Sequence, residues 1–265
     1  AAYNSPEHDE GGSAGKVESV KRHLLYLHQD DRLIVYDQVR AVDSSYRKKW
    51  LLHTVTQPQA DALRLLKGAS DNGILETSTD FLTVTNKAGS LAIQRLLPAD
   101  GVARIVGGRD YQYYVESDGD DRDLDGENFS KGAIDKPWFD VGYWRLEIQP
   151  VQARQSDEFL IALAPGLGEP RSDRIVMLDE PRVQGGRAIQ AGSIVALFVA
   201  PEARSLQLQL PAGVQQLLLL GLPSADKYVS LLQGDQRQQV AVSAEGVALI
   251  APNTGNSGQQ VTVSW

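Results

Sequence analysis

The 265-residue chain has no cysteine, so neither a disulfide framework nor a thiolate metal site can form. This absence does not decide the compartment, because periplasmic proteins also dispense with cysteine. No stretch reaches the roughly 18 apolar residues that a membrane-spanning helix requires. The segment "VQQLLLLGLP" is too short for that and reads as a buried strand running into a turn. Basic residues are in deficit, with 26 Lys and Arg against 34 Asp and Glu. The net charge is −8 and the pI about 5.1. Nucleic acid is therefore a poor partner, because phosphate binding needs a concentrated positive surface. A local basic groove for a polyanionic polysaccharide remains compatible with this balance. Histidine is scarce too, at four residues. No secretory leader pattern opens the chain, which starts "AAYNSPEHDEGGSAG" and reads as a processed chain or a fragment.

What is present is strand and turn chemistry. Short runs rich in Val, Ile, Tyr and Trp alternate with Gly, Pro, Asn and Asp. "VESVKRHLLYLHQ" and "DRLIVYDQVRAV" predict a hairpin across Asp30 and Asp31, and "KKWLLHTVTQ" a third strand. About a dozen or more such segments at regular spacing predict an all-β fold, a large antiparallel sandwich with at most one short helix. The one helix candidate is "QADALRLLKG", ended by Gly68. The Gly- and Pro-rich "APGLGEPRSD" suggests a soft boundary. The main sheets are expected over residues 1–165. Residues 166–265 then complete the sandwich or form a small second β domain.

The ordered segments "GKVESVKRHLLYL", "RLIVYDQV", "KKWLLHTVTQP", "LLP", "GG" and "GYWRLEIQP" resemble the C-terminal β-sheet region of heparinase II/III-like polysaccharide lyases. The matching positions are Arg22, Asp37, Val39, Trp50, Leu51, Leu52, His53, Leu97, Pro98, Gly107, Gly108, Trp144, Arg145, Glu147 and Pro150. The likeness is closest over about residues 15–165, and beyond them only strand-like spacing agrees. It implies a parent enzyme with an α/α toroid followed by antiparallel sheets. Such enzymes cleave uronate-containing polysaccharides by β-elimination, with an anion-neutralising group and a Tyr or His that moves the C5 proton. That proton is weakly acidic, so charge on the developing enolate must be stabilised while a positioned base works. The family's zinc site lies in segments reading "HLD", "DSG" and "AHN", and none of the three occurs here. Strand patterning leaves no room for the helices of a toroid either. The resemblance therefore implies the later, non-catalytic part of a lyase, periplasmic or extracellular, that meets acidic polysaccharide through a catalytic domain it lacks. A glycan-binding or assembly module with a calcium-stabilised loop and a protein partner is the rival reading.

Individual residues divide between chemistry and structure. In a strand, Trp50, Leu52 and Thr54 share one face, and Leu51, His53 and Val55 the other. Flanked by Leu and Val, His53 is expected to be a buried, hydrogen-bonded residue and not a base, so no catalytic residue is assigned. Lys48 and Lys49 are expected to be strand-edge charges. His23 and His28 are expected on opposite strand faces, and His8 in "PEHDE" in a solvated tail. Tyr111 and Tyr113 are expected on one strand face and Tyr114 on the other. With Trp138, Phe139, Tyr143 and Trp144 they read as core or sheet surface before sugar platforms. Arg145 is expected to pair with a carboxylate or carbonyl.

The sharpest chemical motif is "DGDDRDLDGEN". Asp121, Asp123 and Asp125 alternate ahead of Gly126, the D-x-D-x-D-G opening of a calcium loop. Alternate side chains of a curling loop point inward, and Gly permits the sharp turn. Glu127 would add its backbone carbonyl. The twelfth position, Gly132, lacks the bidentate Glu of an EF-hand. A solvated acidic loop is the alternative.

Overall fold

Period-two alternation runs through most of the chain, and the structure resolves it into strands throughout. A computed structural model describes residues 15–116, 124–129, 142–179, 182–223, 228–252 and 260–265. Among the described residues the fold is all-β, with antiparallel sheets stacked as in a sandwich and no helix. The chain divides into two compact units between Ser172 and Asp173.

Unit 1 contains β1 (Val17–Leu27), β2 (Arg32–Ala41), β3 (Trp50–Thr54), β4 (Arg64–Ala69), β5 (Asn72–Thr77) and β6 (Phe81–Asn86). These are followed by β7 (Gly89–Leu97), β8 (Gly101–Gly107), β9 (Tyr114–Glu116), β10 (Gly126–Asn128), β11 (Trp144–Pro150) and β12 (Ser156–Leu167). One five-stranded sheet has the order β1-β2-β12-β7-β6, and the other β3-β11-β8-β5-β4. Their facing side chains form the core: Trp50, Leu75, Ile105, Trp144, Leu146 and Ile148 from the second sheet meet Leu82, Ile93, Phe159 and Ile161 from the first.

Register explains why this core is dry. Leu52, Leu146, Ile105 and Leu75 stand opposite one another on successive strands, forming one apolar row across the second sheet. The adjacent row, on the other face, reads Leu51, Glu147, Arg104, Glu76 and Arg64. A one-residue slip would exchange the two rows and bury four charged side chains between the sheets. The short β9–β10 hairpin lies over the outer face of this second sheet. There Tyr114, Tyr111 and Leu124 pack on Ile74, Val106 and Leu66.

Unit 2 contains β13 (Val176–Leu178), β14 (Val183–Gln184), β15 (Gly186–Ala191), β16 (Ile194–Val199) and β17 (Ser205–Gln209). It ends with β18 (Gln216–Leu220), β19 (Tyr228–Gln233), β20 (Gln236–Ala241), β21 (Val247–Ile250) and β22 (Gln260–Ser264). Its sheets run β13-β15-β16-β18-β21 and β14-β17-β22-β19-β20 around a second core that includes Leu197, Leu208, Leu217 and Val263. β16 and β18 pair in parallel because β17, between them in sequence, belongs to the opposite sheet. β18 is the expected buried strand of "VQQLLLLGLP", and Gly221 follows it in the left-handed region.

Two local expectations need correction. "QADALRLLKG" is not a helix. Gln59 exchanges backbone hydrogen bonds with Thr83, at 2.7 and 2.9 Å, and residues from Arg64 onward form β4 against β5. Long-range ladder bonds outweigh the propensity of a segment about two turns long. Gly68, read as a helix end, lies inside β4 with φ +81°, where an added Cβ would sit 2.4 Å from the Asn72 carbonyl oxygen. The first hairpin forms as expected, but its loop spans His28 to Asp31, with Leu27 opposite Arg32.

Leu146→Ala should open a cavity between the sheets and lower the unfolding free energy by about 2–5 kcal/mol in urea. Leu51→Ala, on the open face of the adjacent position, should change it by no more than about 0.5 kcal/mol.

Candidate functional site

The segment linking β2 to β3 crosses from the first sheet of unit 1 to the second. Its extended end alternates sides residue by residue. Lys48 turns inward to Asp157, with Nζ 3.0 Å from Oδ2. Lys49 turns outward to Glu116 and Glu147, each 2.8 Å away. Trp50 then turns into the core. A cleft of about 1040 Å³ opens beside this segment. Its walls come from Lys16 and Val17, from the β2 end at Val39 and Ala41, from Leu51 and His53 of β3, and from Arg145 and Glu147 of β11. Residues 45–49 and β9 close the rest.

An ion-pair ladder forms the cleft's floor. The buried carboxylate of Glu147 accepts hydrogen bonds from Lys49 Nζ at 2.8 Å and Arg145 Nε at 2.6 Å. Glu116 accepts from Lys49 at 2.8 Å and from Arg104 at 3.2 Å, and Arg47 stands 3.8 Å away. Arg104 also reaches Glu76 at 3.1 Å, which in turn holds Arg64 at 2.6 Å. Burial works to lower the Lys49 pKa, but the Glu147 and Glu116 carboxylates outweigh it and hold the ammonium above its ordinary value. Both carboxylates of the cleft are thus held between cations, which suits them poorly for proton transfer. With Lys48 engaged by Asp157, the remaining cations Lys16, Arg47, Lys49 and Arg145 outnumber Glu116 and Glu147 two to one. Lys16 lies over the Tyr46 ring, 5.6 Å from its centroid. Lys16, Ser45, Arg47 and His53 are exposed polar residues of the lining able to meet a ligand.

Several expectations change here. His53 is not buried. It is exposed on the outer face of β3 and lines the cleft. Its strand parity is as expected, but that face is exposed at His53. Its imidazole has no hydrogen-bond partner among the described residues to orient it as a base. Lys48 and Lys49 are half-buried ion-pair members lining the cleft, not strand-edge charges. Tyr111 lies in the turn before β9, not in a strand, and its ring centroid is 5.3 Å from that of Tyr114. Arg145 pairs as expected, with Glu147 and with the Tyr114 carbonyl at 3.0 Å. His23 stacks on Tyr36, whereas His28 lies in the turn after β1. His8, Asp121, Asp123, Gly132, Trp138 and Phe139 lie outside the described residues. Asp125 and Glu127 are exposed on either side of Gly126, and Glu127 stands opposite Val115 in the β9–β10 hairpin. Among the described residues no three His, Asp or Glu side chains gather as a metal site.

The positions carrying the lyase resemblance fall in a few places. Trp50, Leu52 and Trp144 are core; Leu51, His53, Arg145, Glu147 and Val39 line the cleft. Arg22 and Asp37 form a bidentate pair with both contacts at 2.6 Å. Sequence reading missed Tyr46, Arg47, Arg104 and Glu116 as part of one assembly. Glu116 lies 67 residues from Lys49, and no spacing signals that pairing. No family model matches the chain, and no curated protein matches it.

Glu147→Gln should destabilise the protein by about 3 kcal/mol, because it strips buried cations of their anion. The double change Glu147→Leu with Lys49→Met should recover part of that loss, as measured by denaturant titration.

Proposed function

We propose that this chain is the non-catalytic β-sandwich portion of a heparinase II/III-like polysaccharide lyase, and that its cleft holds acidic polysaccharide for a catalytic toroid located elsewhere. The parent reaction would be β-elimination at uronates, in the periplasm or outside the cell. The observation carrying this reading is a cation-rich cleft on a chain of net charge −8, lined by residues of the lyase resemblance: His53, Arg145 and Glu147. Lys16 and Arg47 would meet sugar carboxylates or sulfates, and the ladder beneath would keep Arg145 and Lys49 in place. Carboxylates held by two or three cations, and a histidine without an orienting group, support binding over turnover.

Purified chain should bind heparin or alginate but not neutral dextran, with affinity falling steeply as salt rises. Lys16→Glu with Arg47→Glu should weaken binding at least about tenfold while leaving the melting temperature close to wild type. No absorbance from unsaturated uronate should appear. Turnover by the chain alone would overturn the non-catalytic assignment, and equal binding of dextran would overturn the cleft's role.

The rival reading, a glycan-binding or assembly module stiffened by calcium, is favoured by the alternating Asp121, Asp123, Asp125 and Gly126. It predicts that millimolar Ca²⁺ raises the melting temperature and that Asp123→Asn with Asp125→Asn removes the shift. An unchanged melting temperature in wild type would eliminate calcium.

A further inference from the structure

The inward-facing apolar rows of the first sheet in unit 1 do not stop where the core stops. One row reads Leu82, Ile93, Leu163, Leu33 and Tyr26 on successive strands. A second ends Ile161, Val35, Leu24, and Val20 stands on the same face opposite Val39. Leu82, Ile93, Val35 and Ile161 are buried. The β1 residues on this face are not: Val20 and Leu24 are each 62% exposed and Tyr26 is 55% exposed. β1 therefore carries the core face of its sheet beyond the layer that covers it. It is also an edge strand, eleven residues long, and among the described residues its one strand partner is β2. Long edges with apolar side chains are templates for a further strand. Isolated exposed Leu or Val residues are ordinary, but three on one face of one edge strand, two of them ending apolar rows, are not scattered.

Charge indicates what fits. From Lys16 to Leu27 Arg22 is committed to Asp37 through two 2.6 Å contacts, so Lys16 and Lys21 are the cations set against Glu18 alone. Glu18 is already engaged by Arg40 at 2.7 Å. The neighbouring cleft adds Arg47. A second copy of β1 would set one cationic edge against another, and like charges across a strand pair are destabilising. We infer that β1 is a docking edge for an extended, acidic polypeptide segment that adds a strand to this sheet. Its apolar side chains would cover Val20, Leu24 and Tyr26, and its carboxylates, on the alternate face, would lie on the side of Lys21. The inference stands on β1 alone and does not depend on the cleft's ligand.

The probe is a blocked nonapeptide alternating Val and Glu, compared with one alternating Val and Lys. Saturable binding of the Val–Glu peptide, measured by fluorescence anisotropy, should slow amide hydrogen exchange in residues 19–26. The Val–Lys peptide should bind at least tenfold more weakly. Leu24→Lys should weaken Val–Glu binding at least tenfold while the melting temperature stays within a few degrees, since Leu24 is exposed. Absence of Val–Glu binding, or equal affinity for both peptides, overturns the proposal. So does a concentration-dependent dimer in sedimentation that Leu24→Lys abolishes, which would make a second copy the occupant.

Discussion

Everything on the outer side of the second sheet depends on how the Glu147 carboxylate is held inside the fold. It is buried on the strand next to the sheet's β3 edge and held by Lys49 and Arg145. An uncompensated charge there would cost several kcal/mol, so its partners must arrive together. Lys49 comes from the link between two sheets and Arg145 from the same strand, and Lys49 is shared with Glu116 from a hairpin laid over the sheet. Arg104 and Glu76 extend the alternation to Arg64. Once this ladder forms, the path of residues 45–49 is set, and with it the wall of the cleft.

The same ladder gives the cleft its chemistry. Its carboxylates are neutralised from below and from the side, and the remaining positive charge lies at the opening on Lys16 and Arg47. That distribution suits retention of a polyanion better than proton transfer, which needs a base with free electron density and an orienting neighbour. Val39, Leu51, His53, Arg145 and Glu147, scattered in sequence, come together at this cleft.

Much of unit 1 was legible one strand at a time. The alternation in "KKWLLHTVTQ" correctly set Trp50 and Leu52 against Leu51 and His53. What misled was the next step, that His53 is buried because Leu51 and Val55 flank it. Parity sorts side chains into two faces, but burial depends on what covers each face. Over Ile74 and Val106 the β9–β10 hairpin supplies a cover; at His53 the face is open to the cleft. The helix read over "QADALRLLKG" failed for a related reason. A short segment with mixed preference follows the strand that pairs with it, and β5 lies beyond the window in which periodicity is judged.

By itself the sequence determined the all-β class, most strand positions, the first hairpin, the absence of thiol chemistry and the pairing of Arg145. Each of these follows from neighbours within a few residues or from composition. Tertiary structure alone decided that Lys49 meets Glu116 and Glu147, that His53 is exposed, and that β1 carries a core face past the edge of its core. Those depend on which strands lie side by side and which faces are covered. Such relations join residues tens to more than a hundred positions apart, and no local period records them.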